Sequence, residues 1–225
     1  MGTIKQGILG GFSGRVGTVV GSTWNSVHYM RALALSVGNP RTEKQQSQRS
    51  KFALTLSFLQ AITPYVREGY RNYADRCTAF NAAMSYLLKN AVTGSGLDIS
   101  IDYAKAMVAR GSLTPVFVAE AASEGGKVTF TWTDNSGTGD AQPTDVAMPL
   151  VYNKDKRVAV YDMQAATRED GTAELTLPEG WDGDALAIYL AFRSADGRYQ
   201  SNSLCLSDTP STGGGGSEEE GGSPL

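Results

Sequence analysis

A chain of 225 residues with 41% apolar residues is long enough for one large domain or two small ones. No apolar run approaches the ~18 residues of a membrane span, so no transmembrane segment is expected. The net charge of −3 hides an asymmetry: residues 1–96 carry eleven Lys/Arg against three acids, +8, and the rest nets −11. Such a split predicts two units that either attract each other or face different surroundings, with an anionic partner for the front half as the sharper option. Cys77 and Cys205 are far apart among apolar neighbours, which predicts buried inert thiols rather than a disulfide framework. The N-terminus lacks the apolar core of a secretory signal, so a cytoplasmic or virion-associated location is expected.

The opening is glycine-rich: Gly7, Gly10, Gly11, Gly14, Gly17 and Gly21. Their spacing makes neither G-x-G-x-x-G nor a P-loop, and Gly14-Arg-Val-Gly17 matches a GXXG clamp only in letters. Residues before Gly14 read as an extended arm. From Val16 the chain alternates, with Val16, Thr18, Val20, Ser22 and Trp24 on one side and Gly17, Val19, Gly21 and Thr23 on the other. Asn25-Ser26 supplies a turn and Val27, Tyr29, Arg31 and Leu33 alternate after it, so 15–34 is expected to be a β-hairpin. A lone hairpin is marginal in water and must pack on something. Gly17 and Gly21, on one side of one strand, would leave a smooth face for a neighbouring backbone.

Asn39-Pro40 breaks the chain, and Thr42 with Gln45 makes a capping-box pattern. The helix that follows starts basic, with Lys44, Arg49 and Lys51, and turns apolar at Phe52, Leu56 and Leu59. Pro64 ends or restarts it, giving a short helix near 64–71. Tyr73, Cys77, Phe80, Met84, Leu87 and Ala91 recur at steps of three and four, one continuous apolar face of a third helix that reads as core. Thr93-Gly-Ser-Gly96 reads as a linker.

Strands are expected afterwards at 99–108, 114–120, 127–132, 146–152, 157–162, 172–177, 185–193 and 203–206, separated by turn signals such as Glu-Gly-Gly, Asp-Asn-Ser-Gly and Ala-Asp-Gly. Short strands at this spacing indicate an immunoglobulin-like β-sandwich, without the Cys…Trp…Cys spacing of antibody domains. The fold class is therefore α+β: a basic Gly-rich hairpin and helical domain at 1–96, an acidic all-β sandwich at 97–208, and a Gly/Ser/Glu tail at 209–225 expected to be disordered.

The stretch Gly-Ile-Leu-Gly-Gly-Phe-Ser-Gly-Arg-Val-Gly-Thr-Val-Val-Gly, followed by Asn-Pro-Arg-Thr-Glu-Lys-Gln-Gln-Ser-Gln-Arg-Ser-Lys-Phe, resembles an uncharacterised domain family of Bacteroidota and their phages. Thr131-Trp-Thr-Asp-Asn-Ser-Gly137 and Tyr199-Gln-Ser-Asn-Ser203 extend the resemblance over nearly all of 1–207. It implies a bacterial or phage setting and a helical-plus-sandwich layout. It carries over no catalytic residue.

The chemistry-bearing candidates are few. His28 is the single histidine, and one His without Cys or carboxylates nearby builds no zinc site. No G-x-S-x-G elbow accompanies it. Asp134, Ser136, Thr138, Gly139 and Asp145 match calcium-loop spacing, but two hydroxyls and a final Asp match its chemistry poorly, and a polar inter-strand loop is expected. Arg15, Arg31, Arg41, Lys44, Arg49 and Lys51 cluster around Trp24 and Tyr29, the residue types that hold nucleic-acid phosphates and bases.

These observations point to a non-enzymatic structural or interaction protein, a phage-type assembly or virion component, with no catalytic residue, cofactor or metal assigned. The expected partner is a protein or a second copy, with no membrane and no small-molecule substrate. A nucleic-acid-binding protein working through the basic front half is the alternative, and an enzyme ranks third. The candidate interaction residues are Gly17, Gly21, Trp24, Tyr29, Arg31, Arg41 and Arg49.

Overall fold

The computed structural model describes residues 2–4, 10–24, 27–36, 41–74, 77–94 and 98–207. The expected turn at Asn25-Ser26, the break at Asn39-Pro40, the second half of the 93–96 linker and the 209–225 tail lie outside the described residues. The chain divides into two compact units, Met1–Thr42 and Glu43–Leu225.

The first unit is an antiparallel sheet of β1 (Thr3–Ile4), β2 (Phe12–Val16), β3 (Val19–Trp24) and β4 (Val27–Ala32), in that order. The expected hairpin is present as β3–β4, in register from Val19↔Ala32 to Trp24↔Val27. Its first strand is shorter than the alternation predicts, because Gly17 and Thr18 form a turn between β2 and β3. Gly17 sits at φ +58°, a left-handed conformation that glycine adopts without the Cβ penalty. Gly17 and Gly21 therefore do not share a strand face. A Cβ at Gly17 would meet nothing within 4 Å, whereas one at Gly21 would lie 2.7 Å from Phe12 Cδ2. The tight packing expected at the glycines exists at Gly21 alone, where a ring of the same sheet lies on the bare backbone.

The second unit begins with α1 (Glu43–Ala61), α2 (Thr63–Gly69) and α3 (Ala79–Asn90). The buried side of α1 is Thr55, Phe58 and Leu59, and Phe52 stays 49% exposed. Pro64 opens α2, where a missing N–H costs no hydrogen bond. Thr78 caps α3 by accepting from the Asn81 amide at 3.2 Å. The helix thus starts after Tyr73 and Cys77, which the periodicity had placed on its apolar face; Cys77 is exposed, not buried, and Cys205 is half-buried.

Strands follow: β5 (Val92–Thr93) pairs with β6 (Ser100–Ile101), then β7 (Ala119–Glu124), β8 (Lys127–Trp132), β9 (Val146–Asn153), β10 (Val158–Tyr161), β11 (Ala166–Thr167), β12 (Thr172–Thr176), β13 (Leu186–Arg193) and β14 (Leu204–Ser207). They make a three-stranded sheet, β12-β8-β7, and a five-stranded sheet, β10-β9-β13-β14 with β11 also on β9. All neighbours in both are antiparallel. The fold is α+β, mostly β. Expected strands at 99–108 and 114–120 shrink to β6 and shift to β7; the chain between them is irregular.

The five-stranded sheet is buried on both faces. Met148, Leu150 and Tyr152 of β9 and Ala187, Tyr189 and Ala191 of β13 join one core with Phe58, Leu59, Ile62, Tyr65, Val66, Met84 and Leu87 of the helical segment. The alternate residues Ala147, Val151, Leu186, Ile188, Leu190 and Phe192 join a second core with Val128, Phe130, Trp132, Ala173 and Leu175 of the three-stranded sheet. Tyr65 donates from its hydroxyl to the Met148 carbonyl at 2.9 Å, and Tyr189 to that of Tyr103 at 2.8 Å. Phe58 meets Tyr152 edge-on at 4.7 Å between centroids. The division thus falls at 42/43 rather than at 96/97. Helices and sheets expected to be separate domains share one core, because the central sheet needs a layer on each side.

Candidate functional site

The first unit holds all the nominated residues except Arg49. Residues 1–42 contain Lys5, Arg15, Arg31 and Arg41 and no acid, whereas 43–225 nets −7. The first unit has no acid at all, but the net charge difference across this boundary, +4 against −7, is smaller than the +8 against −11 across residue 96, because residues 43–96 are themselves basic.

The strand register assigns each side chain to a face, since directly opposed residues of an antiparallel pair point the same way. Arg15, Val20 and Arg31 form one row across β2, β3 and β4. Ser22 and Tyr29 form the next, and Trp24 and Val27 a third. Successive rows lie two residues apart, about 7 Å along the strands. One face therefore carries two arginines at one end and two aromatic rings towards the other. Trp24 is 74% exposed and Tyr29 42%, both arginines are exposed, and Val20 and Ser22 are half-buried among them. Arg15 donates through Nε to the Gly17 carbonyl at 3.1 Å, which leans that side chain towards the β2–β3 turn.

The opposite face carries Val19, Gly21, Thr23, His28 and Met30. Phe12 lies over Gly21, and Gly11 runs so close to His28 that a Cβ there would be 2.7 Å from its Cγ. His28 Nδ1 is 2.9 Å from Thr23 Oγ1. The histidine is held within its sheet and turned away from the aromatic pair.

Of the nominated residues, Trp24, Tyr29 and Arg31 share one face. Gly21 backs the other, Gly17 is in the turn, Arg41 follows the last strand, and Arg49 is on α1 of the second unit. Arg15 joins the shared face; counting the alternation through the Gly17-Thr18 turn as a reversal brings it opposite Val20.

The calcium-like loop is a structural node. Arg168 is fully buried and donates to Asp145 Oδ2 at 3.1 Å, Asn135 Oδ1 at 2.6 Å and the Thr114 carbonyl at 2.9 Å. Asp140 accepts from the amide and hydroxyl of Thr114 at 2.8 and 2.6 Å, and Asp134 from those of Ser136 at 2.9 and 2.5 Å. The Thr114 hydroxyl holds the Asp140 carboxyl below the usual carboxylate range, as the Ser136 hydroxyl does for Asp134. Each carboxylate of the loop is engaged by the fold itself. The signal missed in the sequence is Arg168, whose single charge organises residues 114 to 145.

No helix among the described residues is long and apolar enough to cross a membrane. No curated protein matches the chain, and no solved structure does. A family model matches residues 11–207, and its description is a family of unknown function (DUF6266).

Proposed function

We propose, for a chain that belongs to a family of unknown function, that it is a non-enzymatic interaction protein whose contact surface is the 1–42 sheet and whose helix-backed double sheet is the carrier. The observation behind this reading is the distribution of exposed apolar side chains. Among the described residues, seven of the thirteen large apolar side chains left exposed, Ile4, Val16, Trp24, Val27, Tyr29, Met30 and Leu35, belong to the small first unit. A folded surface with that much exposed apolar area serves contact with another molecule. The much larger second unit leaves six such side chains exposed, Phe52, Tyr73, Phe117, Val118, Val158 and Tyr199, and buries Phe58, Tyr65, Tyr70, Phe130, Trp132, Tyr152, Trp181, Tyr189 and Phe192 in two cores. The resemblance of the N-terminal motif to phage-associated chains supports an assembly role, of virion-component type.

The strand orders β12-β8-β7 and β10-β9-β13-β14 support an immunoglobulin-like reading of the two sheets, since they correspond to E-B-A and C′-C-F-G of such a sandwich. In this reading the helices are an addition on the outer face of the C′-C-F-G sheet.

The open-surface reading is tested with a dye that fluoresces on exposed apolar surface. The parent protein should bind it, and the variant Trp24→Ser, Val27→Thr, Met30→Thr should bind much less while melting at the same temperature. A variant that melts far below its parent would show these side chains to be internal packing, and the reading would fail.

A further inference from the structure

We infer that the Trp24–Tyr29 face of the 1–42 sheet binds single-stranded nucleic acid, with the two rings stacking on bases and Arg15 and Arg31 on the phosphate backbone. The inference rests on the interaction reading above and names its partner.

Three observations carry it. The unit has four basic residues and no acid, so an anionic partner is complementary to it everywhere. A second copy's 1–42 sheet would set like charge against like. The register brings Arg15 and Arg31 into one row flanking Val20, and Tyr29 and Trp24 into the next two rows of the same face. Two rings in adjacent rows about 7 Å apart offer platforms for two unstacked bases, with guanidinium groups at the end of the track. Finally, Trp24 is 74% exposed and Tyr29 42%, so their faces are open to a ligand.

The bases must come from a single strand. Among the described residues, the first unit consists of strands, with no helix to enter a duplex groove, and ring stacking needs bases already out of a helix. Stacking on aromatic side chains together with a basic track is how sequence-tolerant single-strand binders work.

Trp24 also supplies the readout. The other two tryptophans, Trp132 and Trp181, are 7% and 4% exposed, so quenching of emission by added bases reports on Trp24. The full chain is titrated at low salt into a fluorescein-labelled oligothymidylate of roughly 15 nucleotides, near the upper site size for small single-strand modules. Binding should raise the anisotropy and quench tryptophan emission together. Trp24→Ala and Tyr29→Ala should each weaken it about five- to hundredfold. Arg15→Ala with Arg31→Ala should flatten the log–log salt dependence by roughly 1.4, because each phosphate contact on a single strand contributes ~0.7. Arg67→Ala, an exposed base on α2, should change nothing. A duplex of the same length should bind more weakly.

Absence of binding at low salt overturns the assignment. So does affinity that survives Trp24→Ala with Tyr29→Ala, or a preference for duplex. A dimeric mass in solution that the same double variant reduces to monomer overturns it in favour of a protein contact. The dye experiment decides the interaction reading independently, so an open surface that ignores oligonucleotide separates failure of this assignment from failure of that reading.

Discussion

Arg168 and Asp145 meet at 3.1 Å where neither side chain reaches solvent. The guanidinium also lies 4.4 Å above the Phe192 ring and spends its other N–H groups on Asn135 and Thr114. Trp132 Nε1 donates to the Arg168 carbonyl at 2.8 Å, so backbone and side chain of one residue tie β8 to the 134–145 loop.

Arg168→Met should be among the most damaging single substitutions in the second unit. It leaves the buried Asp145 carboxyl with only the Gln142 amide as donor and takes the donor from Asn135 Oδ1 and the Thr114 carbonyl, which costs about 3–5 kcal/mol for a broken buried pair. Arg168→Lys should recover little, because one ammonium on a flexible stem cannot replace a planar fork directed at three acceptors. Urea melts of both variants measure this. A loss under ~1 kcal/mol for Arg168→Met would mean that the node is dispensable.

The shared core makes a prediction about fragments. Residues 43–207 should melt cooperatively, whereas 97–207 should not fold to a stable monomer. Removing the helices would uncover Met148, Leu150, Tyr152, Ala187, Tyr189 and Ala191 on one sheet face. Circular dichroism melts of the two fragments decide it, and a cooperative 97–207 would restore the boundary near residue 96.

Gly21→Ala and Gly17→Ala should differ in mechanism and size. At Gly21 the new methyl meets the Phe12 ring and backbone, so β2 must move away from β3. At Gly17 there is room, and the cost is the left-handed backbone, ~1–2 kcal/mol. Amide exchange across β3 and β4 should accelerate more for Gly21→Ala. Equal effects would show that Phe12 does not hold that position.

Asp140 gives a pH dependence with a defined sign. Its carboxyl is held below the ordinary value, first by the Thr114 hydroxyl. A lowered folded-state pKa adds stability that is present above the unfolded value near ~3.9 and is lost as pH falls through the folded value. The stability gap between the parent and Asp140→Asn should therefore be full at neutral pH and close in acid. A gap independent of pH would remove the carboxylate's role.

Element types were legible where local rules operate alone. β8, with Val128, Phe130 and Trp132 inward, and β12 appear within a residue of the expected bounds. The start of α3 was misplaced because Tyr73 and Cys77 continue its spacing, while the stop signal is the Thr78 cap. The Gly17-Thr18 turn was hidden because apolar alternation runs on through it. The domain boundary was misread from charge and linker composition. Yet Leu186-Ala-Ile-Tyr-Leu-Ala-Phe192 is apolar at every position, the pattern of a strand covered on both faces, and an independent two-sheet sandwich would have alternated there. For the candidate site, the alternation put Trp24 on one side of its strand, but which side Tyr29 and Arg31 share with it depends on pairing register. That register is fixed across the hairpin rather than along either strand.

The central sheet also sets a schedule for the newborn chain. Tyr65 bonds to Met148, 83 residues further on. At ribosomal rates of 5–20 residues per second, roughly 4–17 s pass between synthesis of the two. Throughout that interval Phe58, Leu59, Ile62, Tyr65 and Val66 have been made and the sheet that covers them has not. The helices are born with their apolar side bare, and they finish folding only when β9 and β13 arrive. A chaperone that holds apolar helices during synthesis should raise the yield of this protein, and slowing synthesis after residue 94 should lower it.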